Sequence, residues 1–308
     1  MESAGSRMFK FMLKVTRRKQ FWQQTGESLR KGIETRRHLD YTPPLKVLTN
    51  LDVERLDYGN VPVYVLRPKG ETPKRHLFYL HGGAYVHHIT VTHWYFLQRI
   101  IEHFPCTITV PLYPLAPEHT YEETIATTEE ILHDRFPDVI MGDSAGAGLA
   151  LSLVQKLKEN DQEQPDKTIL ISPWLDVSMT NTAIKKIESK DVFLATPGVK
   201  EAGRWYAGDL ELDNPLISPA YGTSDFDSEL TIFMGTHDIL QPDVKKFVEK
   251  AEGEGKKVTY IEAKSMMHMY PMFTFKEAKK RVSAVDRRVR RTVKRNAACS
   301  VPFYNFRT

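Results

Sequence analysis

The stretch Gly142-Asp143-Ser144-Ala145-Gly146 is the most informative segment of this chain of 308 residues. It follows a short apolar run, residues 139–141, and it opens a segment rich in small residues that is typical of a buried helix. Glycines on both sides of the serine permit a tight turn, since a side chain at either position would crowd the adjoining strand or helix. We therefore expect Ser144 in a strained strand-to-helix turn that presents its hydroxyl at the end of a sheet.

Short β-branched or aromatic runs recur between turn residues along the chain. Most of the later runs are continuously apolar, as in strands that are buried on both faces of a parallel sheet. Helical patterns separate these runs, and strands alternating with helices predict an α/β fold with right-handed crossovers. The predicted strands are residues 53–58, 61–67, 76–80, 107–111, 139–141, 168–172, 231–234 and 258–262.

Bulk composition narrows the class of protein. Apolar residues make up 41% of the chain, enough for a full core, and no apolar run approaches the ~20 residues of a membrane-spanning helix. The N-terminus lacks the pattern of a signal peptide. Only two cysteines occur, Cys106 and Cys299, which does not favour a disulfide framework. We therefore expect a cytoplasmic protein.

The net charge of +4 hides two basic ends and an acidic middle. Residues 1–46 hold 11 Lys and Arg against 4 Asp and Glu, and residues 276–308 hold 11 against 2. Because the charge between these ends is negative, nucleic acid is not the expected partner. Residues 281–308 are predicted as a basic C-terminal helix or tail.

Residues 8–22 form the pattern of a basic amphipathic helix. Met8, Phe11, Met12, Val15 and Trp22 would share roughly one face, with lysines and arginines elsewhere. Such a helix can cover the mouth of an active site, the interpretation that we favour, or it can lie on an anionic membrane surface. Peripheral membrane contact through residues 8–22 is therefore a second expectation.

Further motifs accompany the serine turn. They are His81-Gly82-Gly83-Ala84, Tyr113-Pro114-Leu115-Ala116-Pro117-Glu118-His119, Ser172-Pro173-Trp174-Leu175-Asp176 and Ser218-Pro219. Over about residues 45–275 the chain resembles the hormone-sensitive-lipase-like esterases of the α/β-hydrolase superfamily. The resemblance implies an α/β-hydrolase fold with a mostly parallel, eight-stranded sheet flanked by helices. It also implies hydrolysis of carboxylic esters, usually with short acyl chains, without a metal or organic cofactor.

This resemblance suggests how the chain is divided. Helical segments at the N-terminus and after the sixth strand would together cap the C-terminal edge of the sheet, where open α/β sheets bind ligands. The expected parts are N-terminal cap helices (1–46), a hydrolase core (47–175 and 218–280), a cap insertion (176–217) and the basic C-terminal segment (281–308).

A serine nucleophile needs a base and an acid that orients the base. In the chain order serine, acid, histidine that such folds use, His268 lies beyond the last predicted strand and Asp238 directly follows another. Ser144, Asp238 and His268 are therefore the candidate catalytic residues. Asp243 is the alternative acid, and His237 is more consistent with a neighbour of the acid than with the base.

The Gly-Gly turn after the strand at 76–80 predicts donors for an oxyanion. Backbone N–H groups of Gly82 and Gly83, together with that of Ala145 after the nucleophile, would converge on one point. Ala84 replaces the third glycine that is commoner in the family, and it retains its N–H group.

The leading functional hypothesis is a serine carboxylesterase acting on a small-molecule ester. Tyr85, Trp205 and Tyr206 are the candidate substrate-binding residues of the cap. The alternatives are an amidase or deacetylase with the same machinery, an interfacial lipase, and a small-molecule receptor on the same fold. Receptors that resemble this family lack a working base, so the presence of His268 favours an enzyme. The oligomeric state stays open.

Overall fold

The computed structural model describes residues 2–280, which contain one eight-stranded sheet in the spatial order β1-β2-β4-β3-β5-β6-β7-β8. β2 runs antiparallel to both of its neighbours, and all other neighbouring pairs are parallel. The predicted mostly parallel, eight-stranded sheet is thereby confirmed. The strands are β1 (Leu51–Tyr58), β2 (Val61–Pro68), β3 (His76–Leu80), β4 (Thr107–Pro111), β5 (Val139–Asp143), β6 (Lys167–Ile171), β7 (Glu229–Gly235) and β8 (Val258–Ala263).

The central strands are apolar throughout because both of their faces are covered. Alternate side chains of a strand point to opposite faces, so Phe78 and Leu80 of β3 belong to one apolar cluster, whereas Leu77 and Tyr79 belong to the other. All five residues of β5 are buried. This two-sided burial explains why these strands lack the polar alternation of a solvent-exposed sheet.

The helices sort onto the two faces of the sheet. The buried residues of α5 belong to one apolar cluster, and those of α6, α7 and α10 belong to the other. Single turns of 3₁₀ helix lie at Pro219–Tyr221 and Tyr270–Met272. The α-helices are α1 (Ala4–Val15), α2 (Arg18–Trp22), α3 (Gly26–Arg37), α4 (Leu45–Asn50), α5 (Val91–His103), α6 (Tyr121–Asp134), α7 (Ser144–Glu159), α8 (Ile184–Glu188), α9 (Thr196–Ala207) and α10 (Gln241–Gly253).

The N-terminal helices contact the insertion that carries α8 and α9. α2 packs on α9 so closely that a Cβ at Gly198 would lie 2.6 Å from the carbonyl oxygen of Trp22. The N–H of Gly26 donates to Glu201 Oε1 at 2.8 Å, and Lys19 Nζ donates to the carbonyl of Glu188. Residues before the sheet and residues inserted after β6 therefore pack together, and we propose that they form one cap.

The single amphipathic helix expected over residues 8–22 is wrong. Arg17 adopts a left-handed backbone conformation (φ 53°) that ends α1 and starts α2 in a new direction. Met8 is therefore 72% exposed, whereas Trp22 on the second helix is 2% exposed. The predicted C-terminal helix or tail, residues 281–308, lies outside the described residues.

Candidate active site

The turn after β5 positions Ser144 as the sequence predicts. A Cβ at Gly142 would overlap the backbone of Gly146, and a Cβ at Gly146 would overlap the carbonyl oxygen of Leu80. Only glycine fits at both positions, so the strand can turn directly into α7. Ser144 itself has φ +52°, a left-handed conformation that a non-glycine residue adopts at a cost of about 1–3 kcal/mol. The strain presents the hydroxyl at the sheet edge.

Ser144, His268 and Asp238 form a continuous chain of hydrogen bonds. His268 Nε2 lies 3.0 Å from Ser144 Oγ, and His268 Nδ1 lies 2.8 Å from Asp238 Oδ2. Ser144 is 6% exposed, and the other two side chains are more deeply buried. These are the distances at which a base can take a proton from the serine while the acid orients its ring.

Backbone contacts hold the two loops that carry the base and the acid. Asp238 follows β7, and its Oδ1 accepts the N–H of Leu240 at 3.0 Å. On the histidine loop, the N–H of Met269 donates to Ser172 Oγ at 3.0 Å. Ser172 belongs to a motif that the sequence singled out only by resemblance. Its hydroxyl orients the residue next to the base, a function that sequence reasoning missed.

The alternative acid and the second histidine lie elsewhere. Asp243 sits on α10, where its Oδ1 accepts a hydrogen bond from Asn181 at 2.8 Å. Burial raises the pKa of Asp243 to about 6. The backbone N–H of His237 donates to the carbonyl of Met266 at 2.9 Å. Asp238, rather than Asp243, is thus the carboxylate bonded to His268.

Two opposing effects act on the base. Burial disfavours the charged imidazolium of His268, but the negative charge of Asp238 and its hydrogen bond outweigh burial, so the pKa of His268 is raised above its ordinary value. The charges of Asp191 and Asp143 raise it further. A base with a raised pKa accepts the serine proton more readily once it is neutral.

The predicted oxyanion donors require a correction at Gly82. Its N–H is already engaged, since it donates to Asp143 Oδ1 at 2.9 Å. Within residues 2–280 no acceptor is seen for the N–H groups of Gly83, Ala84 and Ala145, which adjoin Ser144. The N–H of Ala84 is thus uncommitted, whereas that of Gly82 is occupied.

Asp143 shapes the loop that presents these donors. Its carboxylate accepts from the Tyr79 hydroxyl and from the Gly82 N–H, and His93 Nε2 lies 3.4 Å from its other oxygen. Burial works against the ionised form, but the charge of His93 and these hydrogen bonds prevail, so the pKa of Asp143 is lowered. The residue before the nucleophile thus anchors the oxyanion loop to β5.

A second buried carboxylate, Asp191 of the insertion, lies beside the acid loop. Its Oδ1 accepts the N–H groups of Phe193 and Leu194, at 2.7 Å and 2.9 Å, and its Oδ2 accepts the N–H of Ile239 at 2.9 Å. Burial and the negative charge of Asp238 raise the pKa of Asp191 to about 6. Asp191 ties the insertion to the residue after Asp238. It lies in a segment without a clear pattern, so no signal in the sequence singles it out.

A cavity of about 550 Å³ opens onto Ser144 and His268. Its walls come from the oxyanion loop, from α1 to α3 and from the insertion, with Met12, Trp22, His87 and Phe193 among the contributors. The cavity is mostly apolar next to the nucleophile, as small-molecule sites usually are.

The cap residues predicted to bind substrate do not line this cavity. Tyr85 and Tyr206 are fully buried and stack on each other with ring centroids 3.6 Å apart. Trp205 is half-buried and packs against the same apolar cluster. Stacking holds the Tyr85 and Tyr206 rings in the core, and the assignment of all three residues to substrate binding stays a prediction. Phe193 and Leu194 of the insertion line it instead.

Across residues 2–280, no group of three or more His, Cys, Asp or Glu side chains is arranged to hold a metal ion. In the same part of the chain, no helix has the length and apolar character needed to cross a membrane.

Comparisons with known proteins agree with this architecture. An esterase from Acinetobacter venetianus is 29% identical over 68% of this chain and 72% of its own length. An acetyl-hydrolase from Streptomyces hygroscopicus is 26% identical over 78% of this chain and 84% of its own length. Among solved structures, a hormone-sensitive lipase from a metagenome library superposes with a TM-score of 0.76 at 23% identity, covering 92% of this chain and 97% of that one.

The solved structure supports the fold alone, because its sequence identity is low. A family profile for the alpha/beta hydrolase fold matches residues 77–272, well over half of the chain, and this range includes the serine turn and the acid and histidine loops. Together with the curated relatives, that match shows that the chain belongs to the α/β hydrolase fold family, as an enzyme of the esterase type.

Proposed function

We propose that this protein is a serine carboxylesterase that hydrolyses small esters with short acyl chains through an acyl-enzyme. The observation that carries the proposal is the hydrogen-bonded chain from Ser144 through His268 to Asp238, at 3.0 Å and 2.8 Å. A receptor that only binds its ligand has no need of a base bonded to a strained serine.

In the acylation step, Ser144 Oγ attacks the ester carbonyl while His268 Nε2 takes its proton. The carbonyl oxygen becomes an oxyanion, which accepts hydrogen bonds from the free N–H groups near Ser144. Each such donor contributes about 3–4 kcal/mol to stabilising the transition state. The imidazolium, stabilised by Asp238, then protonates the leaving alcohol as its bond to the acyl carbon breaks.

In the deacylation step, water takes the place of the alcohol. His268 removes a proton from the water, whose oxygen attacks the acyl carbon, and the same N–H groups receive the second oxyanion. The imidazolium then returns its proton to Ser144 Oγ as the carboxylic acid departs. The free enzyme is restored, with one ester bond and one water consumed.

Two observations support a small substrate. The cavity of about 550 Å³ lies within the range of sites that enclose small molecules. The Streptomyces relative is an acetyl-hydrolase, and acetyl is a short acyl group.

The test combines covalent labelling with turnover. The protein is treated with an alkyl fluorophosphonate and assayed with p-nitrophenyl esters of increasing acyl length, with Ser144→Ala as the matched control. We expect labelling and turnover of the short esters by the wild type and neither by the variant. The absence of both in the wild type would overturn the proposal in favour of a binding protein. Faster turnover of p-nitroacetanilide than of p-nitrophenyl acetate would show that the enzyme is an amidase.

The exposed apolar residues of α1 support a second candidate, an esterase that works at lipid surfaces. Met8, Phe11 and Val15 are more than half exposed, next to Met12, which lines the cavity. Lysines and arginines flank them, as in helices that bind anionic membranes. Sedimentation with vesicles of phosphatidylglycerol but not phosphatidylcholine, abolished by Phe11→Asp, would support this candidate. If the rate of tributyrin hydrolysis does not rise when the tributyrin concentration passes its solubility limit, the result would argue against this candidate.

A further inference from the structure

Two arginines on the cap side of the cavity have no acidic partner. Arg18 of α2 and Arg36 of α3 both line the cavity, and no carboxylate of residues 2–280 lies within 4.0 Å of either guanidinium. Arg36 Nη1 is buried and has no hydrogen-bond acceptor in this part of the chain. Both side chains are half-buried, and removing a charge from water without a partner is costly.

The carboxylates of Asp40 and Glu118 have other partners. Asp40 also lines the cavity, but it accepts hydrogen bonds from the N–H and hydroxyl of Thr42, at 2.8 Å and 2.7 Å. Glu118 is paired with Arg37. Neither carboxylate is therefore paired with Arg18 or Arg36.

Aromatic rings contact the faces of the two guanidinium groups but provide no hydrogen-bond acceptor for the N–H groups at their edges. Arg18 lies over the Phe193 ring, with Cζ 4.9 Å from its centroid, and Arg36 lies over the Phe21 ring at 3.6 Å. Stacking of this kind leaves the N–H groups at the edge of the guanidinium plane available for an oxygen ligand.

The two charges act on the same part of the cavity wall. Burial, followed by the positive charge of Arg36, lowers the pKa of Arg18 to about 10, so Arg18 remains protonated at neutral pH. Burial and both arginines lower the pKa of His87 well below its ordinary value. His87 Nε2 is buried and has no partner in residues 2–280. A neutral imidazole and two cations thus converge on one region.

This region lies within reach of the reacting serine. Phe193 lies between Arg18 and the base. The centroid of its ring is 4.9 Å from Arg18 Cζ and 5.4 Å from the centroid of the His268 ring. Arg18 Cζ is therefore no more than 10.3 Å from the centroid of the His268 ring. A substrate joined to Ser144 could place a charged end group here through a few methylene groups.

We propose that Arg18 and Arg36 form a subsite for an anionic group, so that the preferred substrate is an ester carrying a carboxylate or phosphate. The inference rests on the proposed esterase function and names the substrate class of that site. An anion at the subsite supplies the oxygens that the guanidinium edges lack and relieves the repulsion between two like charges.

The turnover test compares esters of matched shape and different charge. Monoethyl adipate carries the carboxylate on the acyl side, and ethyl 6-methylheptanoate is its neutral counterpart. 6-Acetoxyhexanoate, with 6-methylheptyl acetate as the neutral counterpart, carries the charge on the alcohol side. We expect kcat/KM to favour at least one anionic ester over its neutral counterpart by about 10- to 100-fold. No preference for either would overturn the proposal.

Variants then assign the preference to the two arginines. Arg18→Gln and Arg36→Gln should each raise KM for the preferred anionic ester about tenfold or more, and should lower the ratio of kcat/KM for this ester to that for its neutral counterpart by a similar factor. Arg30→Gln on the exposed face of α3 is the matched control and should change neither. Equal losses on both esters would show that the arginines act only through packing, and would overturn the proposal.

A binding measurement separates this inference from the proposed function. Ser144→Ala cannot turn over substrate, so its thermal stability is followed with adipate and, separately, with inorganic phosphate. We expect at least one anion to raise the melting temperature, and Arg18→Gln in the same background to remove the shift. A shift without esterase activity in the wild type would contradict the proposed function alone. No shift with either anion would overturn the subsite. Whichever anion stabilises more identifies the charged group.

Discussion

The catalytic residues and the cap arginines differ in whether their polar groups find hydrogen-bond partners within the protein. On the sheet side, Ser144, His268 and Asp238 bond one another, and the remaining oxygen of Asp238 accepts a backbone N–H. On the cap, Arg36 Nη1 is buried and has no hydrogen-bond partner in the described residues. Because unpaired buried polar groups are disfavoured unless they have a use, the contrast is between three catalytic side chains that satisfy one another and a cap arginine that is open to a ligand.

The largest expected effect comes from breaking the closed network on the sheet side. Asp238→Asn leaves the shape of the acid nearly unchanged but removes the charge that holds His268 in the productive tautomer. We expect kcat to fall by about 10⁴-fold. Because Asp238 is the strongest influence that raises the pKa of His268, the acid limb of the pH profile should also move to lower pH.

Asp243→Asn is the matched control for that substitution. It removes a buried carboxylate with a raised pKa on α10 that is bonded to Asn181 rather than to the base. Esterase activity should therefore persist. If Asp243→Asn abolished activity and Asp238→Asn retained it, Asp243 rather than Asp238 would be the catalytic acid.

Asp143→Ala tests the anchor of the oxyanion loop. It would leave the buried hydroxyl of Tyr79 and the N–H of Gly82 without their acceptor. We expect the free energy of unfolding to fall by about 1–3 kcal/mol for each abandoned group. Urea denaturation followed by circular dichroism measures this change. A variant as stable as the wild type would show that Asp143 does not hold the loop.

Asp191→Asn probes the junction between the insertion and the acid loop. Asn cannot supply a second acceptor, so either the Ile239 N–H or the pair at Phe193 and Leu194 loses its partner, and we expect kcat to fall about tenfold. In the wild type, kcat/KM should rise with pH as His268 loses its proton, with a midpoint above the ordinary value of 6.5.

The charge of Asp191 contributes to that raised pKa, so Asp191→Asn should shift the midpoint to lower pH. A purely structural contribution of Asp191 would lower kcat without moving the midpoint. The pH profile therefore distinguishes a positioning residue from one that only stabilises the fold.

The smallest expected effect belongs to Trp205, which lies outside the cavity. Trp205→Phe should leave kcat/KM for p-nitrophenyl butyrate within about twofold, since the ring packs half-buried against the core. A change in acyl-chain preference in this variant would show that Trp205 contacts the substrate.

Much of the fold follows from local pattern. All eight predicted strands are present, because strands buried on both faces must be apolar along their whole length, and turn residues bound them. The serine turn was equally readable, since only glycine at positions 142 and 146 avoids a clash. Ser144, Asp238 and His268 were identified from their order and from their positions after predicted strands, and the structure brings these three together.

The cap was far less predictable. A helical pattern over residues 8–22 does not reveal that Arg17 interrupts the helix with a left-handed backbone conformation. Aromatic residues in the insertion do not show whether they face the cavity, as Phe193 does, or the core, as Tyr206 does. Whether the N–H of Gly82 is free depends on Asp143, 61 residues away, whose side chain occupies it.

Local residue patterns predict the α/β fold and the chemistry of the sheet edge, because a tight turn and fully buried strands impose residue types that can be read locally. The packing of distant segments establishes which N–H groups lack an acceptor, which aromatic rings line the cavity and that, within residues 2–280, two arginines from different helices line it without an acidic partner within 4.0 Å. Those features depend on contacts between segments that are distant in the chain, and no local pattern encodes such contacts.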